Sequence, residues 1–133
     1  SGYHFRLIHG RPVDQLYFDF DSMEKYDKGL VSSDGKTTFT GLISADCHMP
    51  YVRSTTKGYI LNTGSVGNSL GMTNAHALLI EGDIDSKVKS NIKMSILSVP
   101  YDNELAAKIA RENTDLDNYE AYAKEVLTGI YSR

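Results

Sequence analysis

The sequence predicts an α+β fold in which a mixed β-sheet is followed by C-terminal helices. Two observations predict it. Between residues 91 and 99, apolar Ile92, Met94 and Ile96 alternate with polar neighbours, and a period of two is typical of a half-buried strand. After Pro100 the apolar residues recur instead at the spacing of one helix face. A chain of 133 residues is long enough for one compact domain with a substantial core.

The first elements are predicted to be two short strands joined by a long loop. Phe5–Ile8 is a short apolar strand that His9-Gly10 ends, and Phe39–Ser44 is a buried strand. The segment between them, from Asp14 to Gly29, is acidic and rich in aromatic residues. It lacks a clear strand or helix period and is expected to form a loop.

A hairpin, a glycine-rich loop and two longer strands are predicted next. Tyr51–Arg53 and Gly58–Leu61 flank a polar connection, which indicates a hairpin. Gly64–Asn74 holds three glycines and is expected to make tight backbone turns. Ala75–Glu81 and Asn91–Val99 are then the next strands.

The last third of the chain is predicted to be helical. Leu105 and Ile109 lie four apart, as on one face of a helix. Asp117 and Glu120 have the spacing of a capping box, which predicts the start of a second helix.

Composition excludes several classes of protein. The formal net charge of −3 gives no basic field for nucleic acid, and no apolar run approaches the roughly 20 residues that span a bilayer. A single cysteine, Cys47, rules out an internal disulfide framework and favours a reducing cytoplasm. The chain starts Ser1-Gly2 without an initiator methionine and enters a strand at once. We therefore expect it to be a piece of a longer protein.

Three residues at strand ends are candidate metal ligands. His9 and His48 each follow an apolar strand, and Asp46 precedes His48 by two residues. Imidazole and carboxylate are ligands that transition metals accept in hydrolases. On an extended strand, Asp46 and His48 would point to the same face and reach one metal ion or two adjacent ions. A structural role for each histidine remains an alternative, because most histidines at strand ends are solvated or hydrogen-bonded.

For the other candidate site residues, a structural role is favoured over a role in binding or catalysis. Gly64–Gly67 could present backbone N–H groups to a phosphate, but it lacks the lysine and helix of a Walker loop and is better interpreted as a tight turn. Cys47 has no paired cysteine and is interpreted as a structural or incidental thiol. His76 alternates with Ala75 and Ala77 and is interpreted as a packed or edge histidine.

Four short motifs in order resemble the C-terminal half of a bacterial calcineurin-like metallophosphoesterase. That family has the pattern HG, then GHTHxP, then NPGSVG. The corresponding segments here are Ile8-His9-Gly10-Arg11-Pro12, Ala45-Asp46-Cys47-His48-Met49-Pro50 and Ile60-Leu61-Asn62-Thr63-Gly64-Ser65-Val66-Gly67. The fourth segment is Val99-Pro100-Tyr101-Asp102, ahead of an alanine-rich helix. The resemblance runs from about Tyr3 to the C-terminal helix.

The resemblance implies that residues 1–133 form half of an αββα sandwich that holds two divalent metal ions, Mn, Fe, Zn or Ni. His9 matches a ligand of the second metal and His48 a ligand of the first. Asp46 stands where the family has the first histidine of GHTH, and Ala45 and Cys47 also depart from that motif. Arg11, beside His9, is a candidate contact for the substrate phosphate. The D-x-H and GNH motifs of the family's N-terminal half, which include its catalytic histidine, have no counterpart before His9, so no catalytic residue is assigned to this chain.

The implied function is hydrolysis of phosphomonoesters or phosphodiesters, including dinucleoside polyphosphates as one substrate class, by the intact cytoplasmic parent. This chain alone is expected to be incomplete and inactive. Its expected partners are the phosphate-ester substrate and either the missing N-terminal half or a second copy, with no membrane or nucleic acid. The alternative is a catalytically decayed relative that acts as a binding or regulatory module. A small unrelated β-domain is a third interpretation, and it predicts that His9 and His48 lie far apart.

Overall fold

The computed structural model describes residues 2–8, 28–54, 57–83 and 85–133. These residues form an α+β fold with a mixed sheet and two helices at the C-terminal end, as predicted. In chain order the elements are β1 Phe5–Leu7, β2 Gly41–Ser44, β3 Tyr51–Ser54, β4 Tyr59–Asn62, β5 Ala75–Glu81, β6 Lys93–Val99, α1 Asn103–Glu112 and α2 Tyr119–Thr128.

The mixed sheet has the strand order β1-β2-β4-β3. β1, β2 and β4 run parallel, and β3 pairs antiparallel with β4 as the predicted hairpin. All four residues of β2 are buried, which fits a parallel strand covered on both faces. The carboxyl ends of β1, β2 and β4 therefore lie at the same edge of the sheet.

The core of the mixed sheet is small and aliphatic. Leu42 and Ile60 are paired in register on neighbouring strands, and each is 1% exposed. Leu30 packs with them, and Phe39 and Ile8 cover the cluster. This cluster accounts for the apolar residues on one face of the two central strands.

A second, two-stranded sheet consists of β5 and β6 in antiparallel register from Ala75 opposite Val99 to Glu81 opposite Lys93. The Lys93 ammonium lies 2.9 Å from the Glu81 carboxylate at the end of this ladder. β5 has the predicted bounds, whereas β6 begins at Lys93 and not at Asn91.

The two C-terminal helices pack through small side chains. Ala107 and Ala110 of α1 lie against Ala123 and Val126 of α2, and all four are buried. Among the described residues, no helix is both long enough and apolar enough to cross a membrane.

The helix caps differ from each other. Asp102 accepts a hydrogen bond from the Leu105 amide at 2.8 Å and caps α1. The predicted capping box of α2 is wrong, because α2 follows Asn118 in the left-handed region (φ 60°) without a side-chain cap. Glu120 instead pairs with Arg111 at 3.0 Å, which joins the first turn of α2 to the last turn of α1.

Candidate functional site

The segment that follows β2 is a tight turn. The His48 amide donates to the Ala45 carbonyl at 3.0 Å, and His48 has a positive φ of 59°. The prediction that Asp46 and His48 share one face of an extended strand is therefore wrong. The chain reverses direction at this point.

Three hydrogen bonds hold His48 in this uncommon backbone conformation. Besides the turn bond to Ala45, its carbonyl accepts from the Leu70 amide at 3.1 Å, and its ring Nδ1 lies 2.9 Å from the Asn68 carbonyl. A left-handed residue other than glycine costs of order 1–3 kcal/mol and persists only where its surroundings over-determine it. His48 is thus fixed from its backbone and from its ring.

The ring contact also determines the tautomer of His48. A backbone carbonyl only accepts hydrogen bonds, so the proton of the neutral imidazole must reside on Nδ1. No described residue hydrogen-bonds Nε2, which carries the ring's lone pair. A metal-ligating histidine commonly has this arrangement, with its second nitrogen donating to a backbone carbonyl or a carboxylate.

Asn62 braces the turn from the end of β4. It is fully buried, and its side-chain nitrogen donates to the Ala45 carbonyl at 2.9 Å and contacts the Cys47 sulfur at 3.1 Å. Its side-chain oxygen accepts from the Gly64 amide at 2.9 Å. One amide side chain therefore joins the turn after β2 to the glycine-rich loop after β4. The structural interpretation of Cys47 agrees with this contact.

Gly64 allows that loop to pass close to its neighbours. It has a φ of 71°, and a Cβ at this position would lie 2.8 Å from His76 Cβ and 3.0 Å from Pro50 Cβ. Only glycine satisfies both the backbone conformation and the available space. The interpretation of Gly64–Gly67 as a tight turn is consistent with this packing.

His76 is packed in the interior and is only 3% exposed. Its Nδ1 lies 2.7 Å from Ser69 Oγ and its Nε2 lies 3.1 Å from Ser98 Oγ. Ser69 Oγ donates its own proton to the Ser65 carbonyl at 2.6 Å. Both ring nitrogens are therefore occupied, and His76 offers no open ligand atom.

A cleft of about 500 Å³ opens beside the turn. It is lined by residues 46–49, by Leu70, and by Tyr131 and Arg133 of the C-terminal segment. Asp46 and His48 thus line the same cleft. His9 and Arg11 lie outside the described residues, so their assignments stay predictions. Within residues 2–8, 28–54, 57–83 and 85–133, no three His, Cys, Asp or Glu side chains are grouped as a metal site.

Helix α2 fastens the loop that carries Asn68. The Tyr122 hydroxyl donates to the Gly67 carbonyl at 3.0 Å, and the Asn68 side-chain nitrogen donates to Glu125 at 2.7 Å. At the end of the helix, the Gly71 amide donates to the Gly129 carbonyl at 2.8 Å. The loop is therefore attached to α2 at three points.

Glu125 is a fully buried carboxylate with a complete set of partners. Arg133 donates to it through Nε and Nη2, the latter at 3.0 Å, and the Ser132 amide donates at 2.9 Å. Burial raises the pKa of Glu125, but the hydrogen bonds from Arg133, Ser132 and Asn68 outweigh it and lower the pKa from 4.5 to about 2. Glu125 is therefore ionised at neutral pH. The sequence analysis did not identify Glu125 as a functional residue. Its position three residues after Tyr122, on the packed face of the helix, was the available signal.

Comparison with known proteins gives no family assignment. The sequence matches no protein-family model, and no curated protein matches it significantly.

Proposed function

We propose that this chain supplies part of the two-metal site of a cytoplasmic metal-dependent phosphoesterase and corresponds to the C-terminal half of its αββα sandwich. One observation carries the proposal. The ring of His48, a residue that lines the cleft, is fixed with its proton on Nδ1 by the Asn68 carbonyl, which leaves the lone pair on Nε2, to which no described residue hydrogen-bonds.

The sheet topology supports a shared site for the predicted ligands. β1 and β2 are parallel, and the Ile8 amide donates to the Ile43 carbonyl at 2.9 Å just beyond the end of β1. The chain therefore leaves β1 and β2 at one edge of the sheet. His9 is the next residue after Ile8, and Asp46 and His48 follow β2. Ligands on neighbouring parallel strands are a common way to assemble a metal centre.

The donor set fits divalent transition metals, which accept imidazole and carboxylate. His48, Asp46 and His9 would hold them, with the remaining ligands coming from the other half of the parent. Two such ions supply Lewis-acid activation of a water molecule and of the phosphoryl oxygens of a phosphate ester. This chain's own part is to hold the imidazole in one tautomer and to keep the turn rigid through Asn62. Arg11 is assigned to bind the substrate phosphate.

Zinc titration of the 133-residue chain tests the assignment of His48. In ¹⁵N NMR spectra of the imidazoles, we expect Zn²⁺ to shift Nε2 of His48 while Nδ1 keeps its proton. We expect His9 to respond as well. The His48→Ala variant should lose at least about tenfold in zinc affinity, since it removes a ligand.

His76 is an internal control in the same spectra, because hydrogen bonds occupy both of its ring nitrogens. Its resonances should not move below the zinc concentration that saturates His48. Equal responses of His48 and His76, or unchanged affinity in His48→Ala, would contradict the proposal.

A decayed relative that binds without catalysis is the second candidate function. The observation that favours it is Asp46. This exposed aspartate stands where the calcineurin-like metallophosphoesterases, which the chain resembles, have histidine. The variant Asp46→His separates the two candidates. If Asp46 occupies a ligand position, restoring the imidazole should raise zinc affinity about tenfold, because divalent zinc binds imidazole well. An unchanged affinity would mean that this position no longer faces a metal.

A further inference from the structure

The face of α2 that carries Tyr122 and Glu125 contacts the loop that orients His48. These two residues are three apart, so their side chains leave the helix on the same side. Tyr122 holds the Gly67 carbonyl and Glu125 holds the Asn68 side chain. The Asn68 carbonyl, between these two anchors and the His48 ring, is the acceptor for Nδ1.

Asn68 is under an unusual constraint. It is 5% exposed, and its side-chain oxygen is buried without a hydrogen-bond partner among the described residues. Rotating the amide by 180° would place that oxygen against the ionised Glu125 carboxylate, so the nitrogen must face Glu125. An unsatisfied buried acceptor is unfavourable. The orientation of the Asn68 side-chain amide is therefore set by its hydrogen bond to Glu125, and its own oxygen is left without a hydrogen bond from the described residues.

Arg133, in the C-terminal segment, forms an ion pair with Glu125. It pairs with Glu125 at 3.0 Å and also lines the cleft beside His48. Arg133 neutralises the carboxylate that would otherwise be buried as an isolated charge. The same carboxylate can then accept from Asn68 without losing its ionised state.

We propose that Glu125 and Tyr122 are positioning residues for His48. They fix the Gly67-Asn68 peptide segment so that the Asn68 carbonyl selects the Nδ1-protonated tautomer of the His48 imidazole and leaves Nε2 open. The consequence for metal binding rests on the proposed function, whereas the consequence for the tautomer does not. Neither residue touches the metal or the substrate, and each acts through Asn68.

Two conservative variants test the proposal, each with a matched control on the same helix. Glu125→Gln removes the charge that orders Asn68, and Tyr122→Phe removes only the hydroxyl that holds Gly67. Glu120→Gln and Tyr119→Phe are the controls, since no hydrogen bond joins Glu120 or Tyr119 to the 64–71 loop. Ring ¹⁵N NMR would report the His48 tautomer, Zn²⁺ titration its affinity, and circular dichroism the fold.

We expect both variants to populate the second His48 tautomer, and we expect zinc affinity to fall about tenfold in Glu125→Gln and less in Tyr122→Phe. The controls should match the wild type. A folded Glu125→Gln or Tyr122→Phe protein with the wild-type tautomer and zinc affinity overturns the proposal. If Glu125→Gln does not fold, Tyr122→Phe decides the question alone. If the wild-type chain binds no zinc, the proposed function fails, while the tautomer measurement still tests the positioning role.

Discussion

Replacing Arg133 with methionine is expected to lower the free energy of unfolding by about 3 kcal/mol at neutral pH. Breaking a buried ion pair costs 3–5 kcal/mol because the remaining charge is left uncompensated. The Arg133 side chain is 39% exposed, so water can partly replace it, and the lower end of that range applies. Methionine keeps most of the aliphatic length of the arginine side chain, so the loss of unfolding free energy comes mainly from removing the guanidinium group. Urea unfolding at pH 7 measures it.

The loss of stability in Arg133→Met should become smaller as the pH falls. The pKa of Glu125 is lowered in the folded protein, from 4.5 to about 2. Its contribution to stability is therefore complete above pH 4.5 and is lost as the pH falls toward 2. The shift corresponds to a stabilisation on the order of 3 kcal/mol. In Arg133→Met the folded pKa rises, so the difference between variant and wild type should narrow between pH 4.5 and pH 2.

Arg111→Met is the matched control for this prediction. Arg111 pairs with Glu120 at a similar distance of 3.0 Å, but Glu120 is 63% exposed. An exposed pair contributes about 0.2–1 kcal/mol. Two results would contradict the prediction: equal losses of unfolding free energy in the two variants, or a loss in Arg133→Met that does not change with pH. Either would show that the ion pair with Arg133 does not stabilise the ionised Glu125 carboxylate.

The local elements were predictable from the sequence because their signals are local. The alternation at Ile92, Met94 and Ile96 indicated β6 to within two residues, and the apolar run before Asp46 indicated β2. The strand order β1-β2-β4-β3 could not be derived in this way. It depends on pairings between distant segments, such as Leu42 with Ile60, and no local period encodes them.

The candidate site was predictable only in part. Asp46 and His48 were selected because they follow an apolar strand, but the turn at His48 was missed. Besides the local turn bond to Ala45, its positive φ is maintained by Asn68 and Leu70, which lie 20 and 22 positions further along the chain. Glu125 was missed for the same reason, because Asn68 lies 57 positions before it.

Gly64→Ala is expected to lower the free energy of unfolding by about 3 kcal/mol. Two effects add. An alanine at φ 71° is strained by about 1–2 kcal/mol. Its Cβ would also lie 2.8 Å from His76 Cβ and 3.0 Å from Pro50 Cβ, and forcing an extra carbon into a packed interior costs typically 1–3 kcal/mol. The shift of Pro50, two residues after His48, should also weaken zinc binding.

Gly35→Ala separates the two effects. Gly35 has the same φ of 71°, but a Cβ there would meet no atom of the described part of the chain within 4 Å. Alanine at Gly35 therefore carries the backbone strain alone and is expected to cost about 1 kcal/mol. The difference between the two variants, measured by urea unfolding under identical conditions, is the steric cost of crowding His76 and Pro50. Equal losses would mean that the loop after β4 can move away from both residues. The turn that carries His48 would then not be held by close packing against Gly64, and the hydrogen bonds made by Asn62, Asn68 and Leu70 would have to connect that turn to the loop.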